Sequence, residues 1–109
     1  MARENPTVKL SDIDEPDCWI NLDCQVINEI PSPAESIAQK LWIADPTTAI
    51  EAVLWAKAAR AGVPRLKVGK SYRLENVVTN EFRGRFSIAL VSSTKVSEIA
   101  DMGLDEEIY

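Results

Sequence analysis

The 109-residue chain has no histidine, only two cysteines, only four glycines and no apolar run long enough to cross a bilayer. Each scarcity excludes something. Without histidine, the side chain most used as a general base near neutral pH is missing, and so is a common nitrogen ligand for zinc. Cys18 and Cys24 are too few to frame a fold. On one extended segment their Cα atoms stand roughly 20 Å apart, beyond the roughly 7 Å reach of a disulfide, so both read as free thiols. Four glycines leave no glycine-rich loop to cradle a phosphate. Asp12, Asp14, Glu15 and Asp17 crowd one turn and read as solvated charge, not as an acid–base pair. The expectation is a protein that is not an enzyme, with no cofactor and no metal. The segment MARENPTVKL lacks the apolar region of a signal peptide, so a cytoplasmic location without a membrane span is expected.

What is present is unevenly spread. The net charge is −5, which argues against a polyanionic partner. Residues 57–85, however, hold Lys57, Arg60, Arg65, Lys67, Lys70, Arg73, Arg83 and Arg85 against only Glu75 and Glu81. Acidic side chains dominate on both sides of that block. Phosphate attraction follows the local surface and not the total.

Hydrophobic alternation marks strands. Cys18 to Ile27 alternates, with Cys18, Ile20, Leu22, Cys24 and Val26 on the core face and Trp19, Asn21, Asp23, Gln25 and Ile27 on the other. Trp19 is expected to pack under a terminal segment. Residues 28–35 (NEIPSPAE) read as a loop. Ile37–Ala44 and Ala49–Lys57 read as a hairpin around Asp45-Pro46-Thr47-Thr48, with Pro46 preset for the turn. That turn places Ala44 opposite Ala49, Trp42 opposite Glu51 and Lys40 opposite Val53. Leu41, Ile43, Ile50, Ala52 and Leu54 then face inward, and Trp42, Glu51, Val53, Trp55 and Lys57 face outward. Residues 56–62 form a short helix at most. Ser71–Asn80 and Arg85–Val91 read as a second hairpin, with Phe82 at its tip and Gly84 supplying a positive φ. Lys95–Ile99 reads as a terminal extension, and the last residues as a frayed acidic end.

Strand, turn, strand ending in Trp55, short helix, then a two-stranded hairpin is the order of an OB-fold. The expected class is all-β: a five-stranded Greek-key barrel with one short helix between strands 3 and 4. The expected division is a flexible arm over 1–7, the barrel over 8–99 and an acidic tail over 100–109.

Five short motifs support this order: Ile43-Ala44-Asp45, Leu54-Trp55, Val68-Gly69-Lys70, Leu74-Glu75-Asn76 and Phe82-Arg83-Gly84. In sequence and spacing they resemble the OB-folds of archaeal single-stranded DNA-binding proteins and of the replication protein A family, over roughly residues 8–99. The resemblance implies that the aromatics ending the third strand and at the hairpin tip, here Trp55 and Phe82, stack on bases. Where such proteins often carry a further aromatic in the fourth strand, this chain has Val78. Thr48 stands where their turn has glycine, and Pro31-Ser32-Pro33 replaces a charged, glycine-rich first loop.

Residue parity reaches the same face independently. Trp42 and Trp55 point outward with Lys40 and Lys57, and Phe82, Arg83 and Arg85 approach from the second hairpin. Aromatics interleaved with cations suit a single strand, because rings stack on bases and cations track phosphates. The expected function is binding of single-stranded DNA with little sequence preference, in replication, recombination or repair. Trp55, Phe82 and Trp42 would stack, and Lys57, Arg83 and Arg85 would contact phosphates. RNA is not distinguished, since stacking does not read the sugar. Glu51, between the two tryptophans, opposes this reading. The alternative is an OB-fold protein-interaction subunit of a replication or repair complex that does not itself bind nucleic acid, its tryptophans forming an apolar docking patch.

Overall fold

The structure is a computed structural model that describes residues 5–31 and 34–105. Residues 32 and 33 of the proline loop, and residues 1–4 and 106–109 of the expected arm and tail, lie outside the described residues. Among the described residues six strands form: β1 (Trp19–Ile30), β2 (Ile37–Ala44), β3 (Ala49–Trp55), β4 (Ser71–Phe82), β5 (Arg85–Leu90) and β6 (Lys95–Glu98). One helix, α1 (Ala56–Arg60), lies between β3 and β4, and a single 3-10 turn covers Leu10–Asp12. The strands run β1-β2-β3-β5-β4, and β1 also pairs with β4, which closes the barrel. Of the strand pairs among the described residues, only β3 and β5 are parallel. The fold is the expected OB-type barrel, with one strand more than expected: Lys95–Glu98 is β6, paired antiparallel to β4.

The β2–β3 register is as read from the turn, with Ala44 opposite Ala49, Trp42 opposite Glu51 and Lys40 opposite Val53. Leu41, Ile43, Ala52 and Leu54 are fully buried on the inner face. The third strand is two residues shorter than expected, because the chain turns into α1 after Trp55. Lys57 is therefore a helical residue and not a strand residue.

β1 departs most from simple alternation. It continues to Ile30, through residues expected to be loop. Its first part pairs with β4 and its second with β2, and the register slips between Val26 and Asn28 during that change of partner. Ile27, expected on the outer face, is buried at the slip; Gln25 precedes it, keeps its expected parity and is buried as well. Gln25 is satisfied there by Leu104: its amide donates to the Leu104 carbonyl at 3.2 Å and accepts from the Leu104 N–H at 3.0 Å. The part of the C-terminal end that is described is thus tied to the barrel instead of fraying.

A second irregularity explains the Leu74-Glu75-Asn76 motif. Between the pairs Leu22–Leu74 and Ile20–Val77, β4 has one residue more than β1. Asn76 takes up the excess at φ 66°, a conformation asparagine tolerates better than most residues. The Asn21 side chain accepts its N–H at 2.8 Å. The bulge resets the parity of β4, so Tyr72, Leu74, Val77 and Thr79 all face inward.

The N-terminal segment closes one end of the barrel. Thr7 bridges Asn21 of β1, and Leu10 enters the core. Asp45 anchors that entry, accepting hydrogen bonds from the N–H groups of Leu10 (2.8 Å), Thr47 (2.8 Å) and Thr48 (3.1 Å) and from the Thr47 hydroxyl. At the other end, Ala58, Val63 and Leu66 pack on the core, and the Gln39 side-chain amide exchanges two hydrogen bonds with the Leu66 backbone.

Candidate nucleic-acid interface

The pairings define an outward face that crosses β2, β3, β5 and β4. One transverse row runs Trp42, Glu51, Ser87, Asn80. The next runs Lys40, Val53, Ala89, Val78 and continues to Trp19 on β1. Trp55 lies four residues past Glu51 in one direction, and Phe82 two residues past Asn80 in the other. At about 3.3 Å per residue, the two rings stand about 20 Å apart along the strands. They cannot hold adjacent bases. They mark two ends of a track with Trp42 on its flank.

Phe82 is 72% exposed and Trp55 is 37% exposed, whereas Trp42 is half-buried. Phe82 is the last residue of β4, opposite Arg85, and not the turn itself. The turn is Arg83-Gly84, with φ 53° and 80°. Two successive positive φ values make the two-residue connection that matches the twist of paired strands. Its consequence for the site is that the Arg83 guanidinium carbon lies 5.1 Å from the Phe82 ring centroid. An arginine at that distance is held over the ring by its quadrupole.

The cations collect at the two ends of the track. Arg83 and Arg85 are exposed beside Phe82, and Lys57 is exposed on α1 just after Trp55. In the middle, Lys40 Nζ meets Glu51 Oε1 at 3.0 Å. Glu51 is therefore neutralised by its diagonal neighbour, which the cross-strand register alone did not reveal.

Trp19 is the aromatic that sequence reasoning misplaced. It is on the outer face, as parity indicated, but it is 47% exposed and not packed under a terminal segment. Both thiols are free, as expected. Burial, and after it the negative charges of Asp23 and Asp45, push the Cys24 thiol up to about 12. Among the described residues no group of His, Cys, Asp or Glu is arranged to hold a metal ion, and no helix is long and apolar enough to cross a membrane.

No protein-family model and no curated protein sequence matches the chain. Solved structures do. An OB domain from Methanosarcina mazei is 30% identical, with a TM-score of 0.80 over 95% of this chain and 94% of that one. An OB domain from Thermoplasma acidophilum is 16% identical, with a TM-score of 0.70 over 96% and 98% of the two chains. Schizosaccharomyces pombe Pot1pC, solved bound to ssDNA, is 16% identical, with a TM-score of 0.63 over 93% and 91%. The barrel is an OB-fold. At the identity and coverage of the Methanosarcina mazei domain, the chain belongs to that family of OB domains.

Proposed function

We propose that this OB domain binds single-stranded DNA with little sequence preference across the β2–β3–β5–β4 face, in replication, recombination or repair. Trp55 and Phe82 stack on bases at the two ends of the track, and Trp42 adds a weaker platform. Lys57, Arg83 and Arg85 contact phosphates. The domain performs no chemistry of its own, and residues 8–99 form the binding unit.

The observation that carries this reading is Phe82. Its ring is 72% exposed on an exposed hairpin and has an arginine held over it. Core packing gives no reason for a phenyl ring there. The motif resemblance to archaeal single-stranded DNA-binding proteins and replication protein A supports the same assignment, as does the ssDNA bound by the structurally similar Pot1pC.

The test is a titration of oligo-dT followed by tryptophan fluorescence at 50 and 200 mM salt. Three phosphate contacts on a single strand correspond to a log–log slope of about −2, so affinity should fall about 20-fold between those concentrations. The competing reading, a protein-docking subunit, draws on the net charge of −5. Absence of quenching at low salt would favour it.

A further inference from the structure

Where that outer row ends at Trp19, an open groove of about 400 Å³ lies between the N-terminal segment and the start of β1. Its apolar surface comes from Val8, Ile13, Cys18, Trp19 and Ile20. Its rim carries Asp12, Asp14 and Glu15, and none of the described residues lining it is basic. These carboxylates form no ion pair among the described residues, and they do not converge on a cation site. A 47% exposed tryptophan therefore borders an apolar slot beside carboxylates that no described basic residue pairs.

The walls are held by main-chain bonds. Val8 N–H donates to the Asn21 carbonyl and Asn21 N–H to the Pro6 carbonyl, both at 2.9 Å. The acidic turn is pinned to β4 through Thr79, whose hydroxyl donates to the Glu15 carbonyl at 2.7 Å and accepts the Cys18 N–H at 2.9 Å. A rim fixed in this way loses little freedom when it is occupied.

We infer that this groove docks a peptide segment of a partner protein in which an apolar side chain is flanked by lysine or arginine. The apolar side chain fills the slot against Trp19, and the cations face Asp12, Asp14 and Glu15. The charge complementarity that selects a basic peptide repels a nucleic-acid backbone, so the groove takes a different partner from the Trp55 and Phe82 ends of the track. The inference does not depend on that face binding DNA.

Cys18 supplies a built-in reporter. It lines the groove and is half-buried, whereas Cys24, the other cysteine of the chain, is fully buried with its thiol raised to about 12. Iodoacetamide on the folded chain should mark Cys18 alone. Two pools of labelled hexapeptides provide the probes, one built from lysine, arginine, leucine and phenylalanine, the other from aspartate, glutamate, leucine and phenylalanine. The basic pool should bind and slow Cys18 alkylation, and the acidic pool should do neither. Trp19→Ala should weaken the basic pool about tenfold. Asp14→Asn with Glu15→Gln, on an exposed turn, should weaken it about fivefold without touching the core. Trp55→Ala and Phe82→Ala should leave it unchanged. Equal binding of the two pools, no binding of the basic pool at about 1 mM, or protection of Cys18 by oligo-dT would each overturn the inference.

Discussion

Lys40 and Glu51 meet diagonally across β2 and β3, Nζ to Oε1 at 3.0 Å, in the middle of the face that carries Trp42, Val53 and Trp55. Both side chains are about one-third exposed, so the pair adds little to stability. Its effect is on the field of the face, because each charge cancels the other where a phosphate would pass. Glu51→Gln releases Lys40. It should tighten oligo-dT binding about three- to fivefold and steepen the log–log salt slope by about 0.7. A fluorescence titration of the variant at several salt concentrations checks this, and an unchanged slope would remove Lys40 from the track.

Trp55 and Phe82 should separate binding from folding to different degrees. Each stacked base is worth about 1–3 kcal/mol, so either alanine variant should lose about 5- to 150-fold in affinity. Phe82→Ala removes a ring that is 72% exposed, and should change unfolding free energy by less than about 0.5 kcal/mol. Trp55 is only 37% exposed, and Trp55→Ala should cost about 1–2 kcal/mol. Urea unfolding alongside the titration measures both quantities. Collapse of the fold in Trp55→Ala would put that ring in the core.

The Arg83-Gly84 turn allows charge and conformation to be altered independently. Arg83 sits at φ 53°, where asparagine is favoured in such turns. Arg83→Asn should leave the melting temperature unchanged or slightly raised while weakening oligo-dT binding. Gly84 has φ 80° with open space around it, so Gly84→Ala meets no clash and pays only for the backbone conformation. A loss of about 1 kcal/mol is expected. Thermal melts should therefore report the loss in Gly84→Ala and not in Arg83→Asn, and oligo-dT titration should report the loss in Arg83→Asn.

Asp45 should govern part of the acid stability. Its burial raises the carboxyl, but the hydrogen bonds from Leu10, Thr47 and Thr48 outweigh that and hold it below its ordinary value. A carboxyl lowered by folding stabilises the native state above its unfolded pKa, and that contribution fades as pH falls through the lower, native value. Asp45→Asn should therefore cost about 2 kcal/mol at pH 7, and wild type and variant should converge as pH falls through the lowered native pKa of Asp45. Urea midpoints across that range decide it. A gap that persists at low pH would mean that the site is held by shape and not by charge.

Most of the barrel was legible in the sequence because its strands obey simple rules. A two-residue period with a proline-containing turn placed Trp42 opposite Glu51 without ambiguity. The same parity put Trp42 and Trp55 outside, whereas Phe82 was placed by its position at the hairpin tip and owes its outward direction on β4 to the bulge at Asn76. The rule failed where the strands are irregular. Ile27 is buried where β1 changes partners, Gln25 lies under the C-terminal Leu104 that its side chain binds, and the parity of β4 depends on a bulge at Asn76 that shows no hydrophobic signature. β6 was missed because four residues, Lys95 to Glu98, are too few to display a period.

The local order of apolar and polar residues, with its turn chemistry, was enough by itself to specify an OB barrel and to divide its side chains between inside and outside. Side-chain direction is a property of the local backbone, so neighbours in sequence determine it. Tertiary structure alone decided which outward groups of different strands and segments meet: that Lys40 silences Glu51, and that Trp19 borders an acidic groove. Those relations depend on which strands lie side by side and at what register, and closure of the barrel sets both.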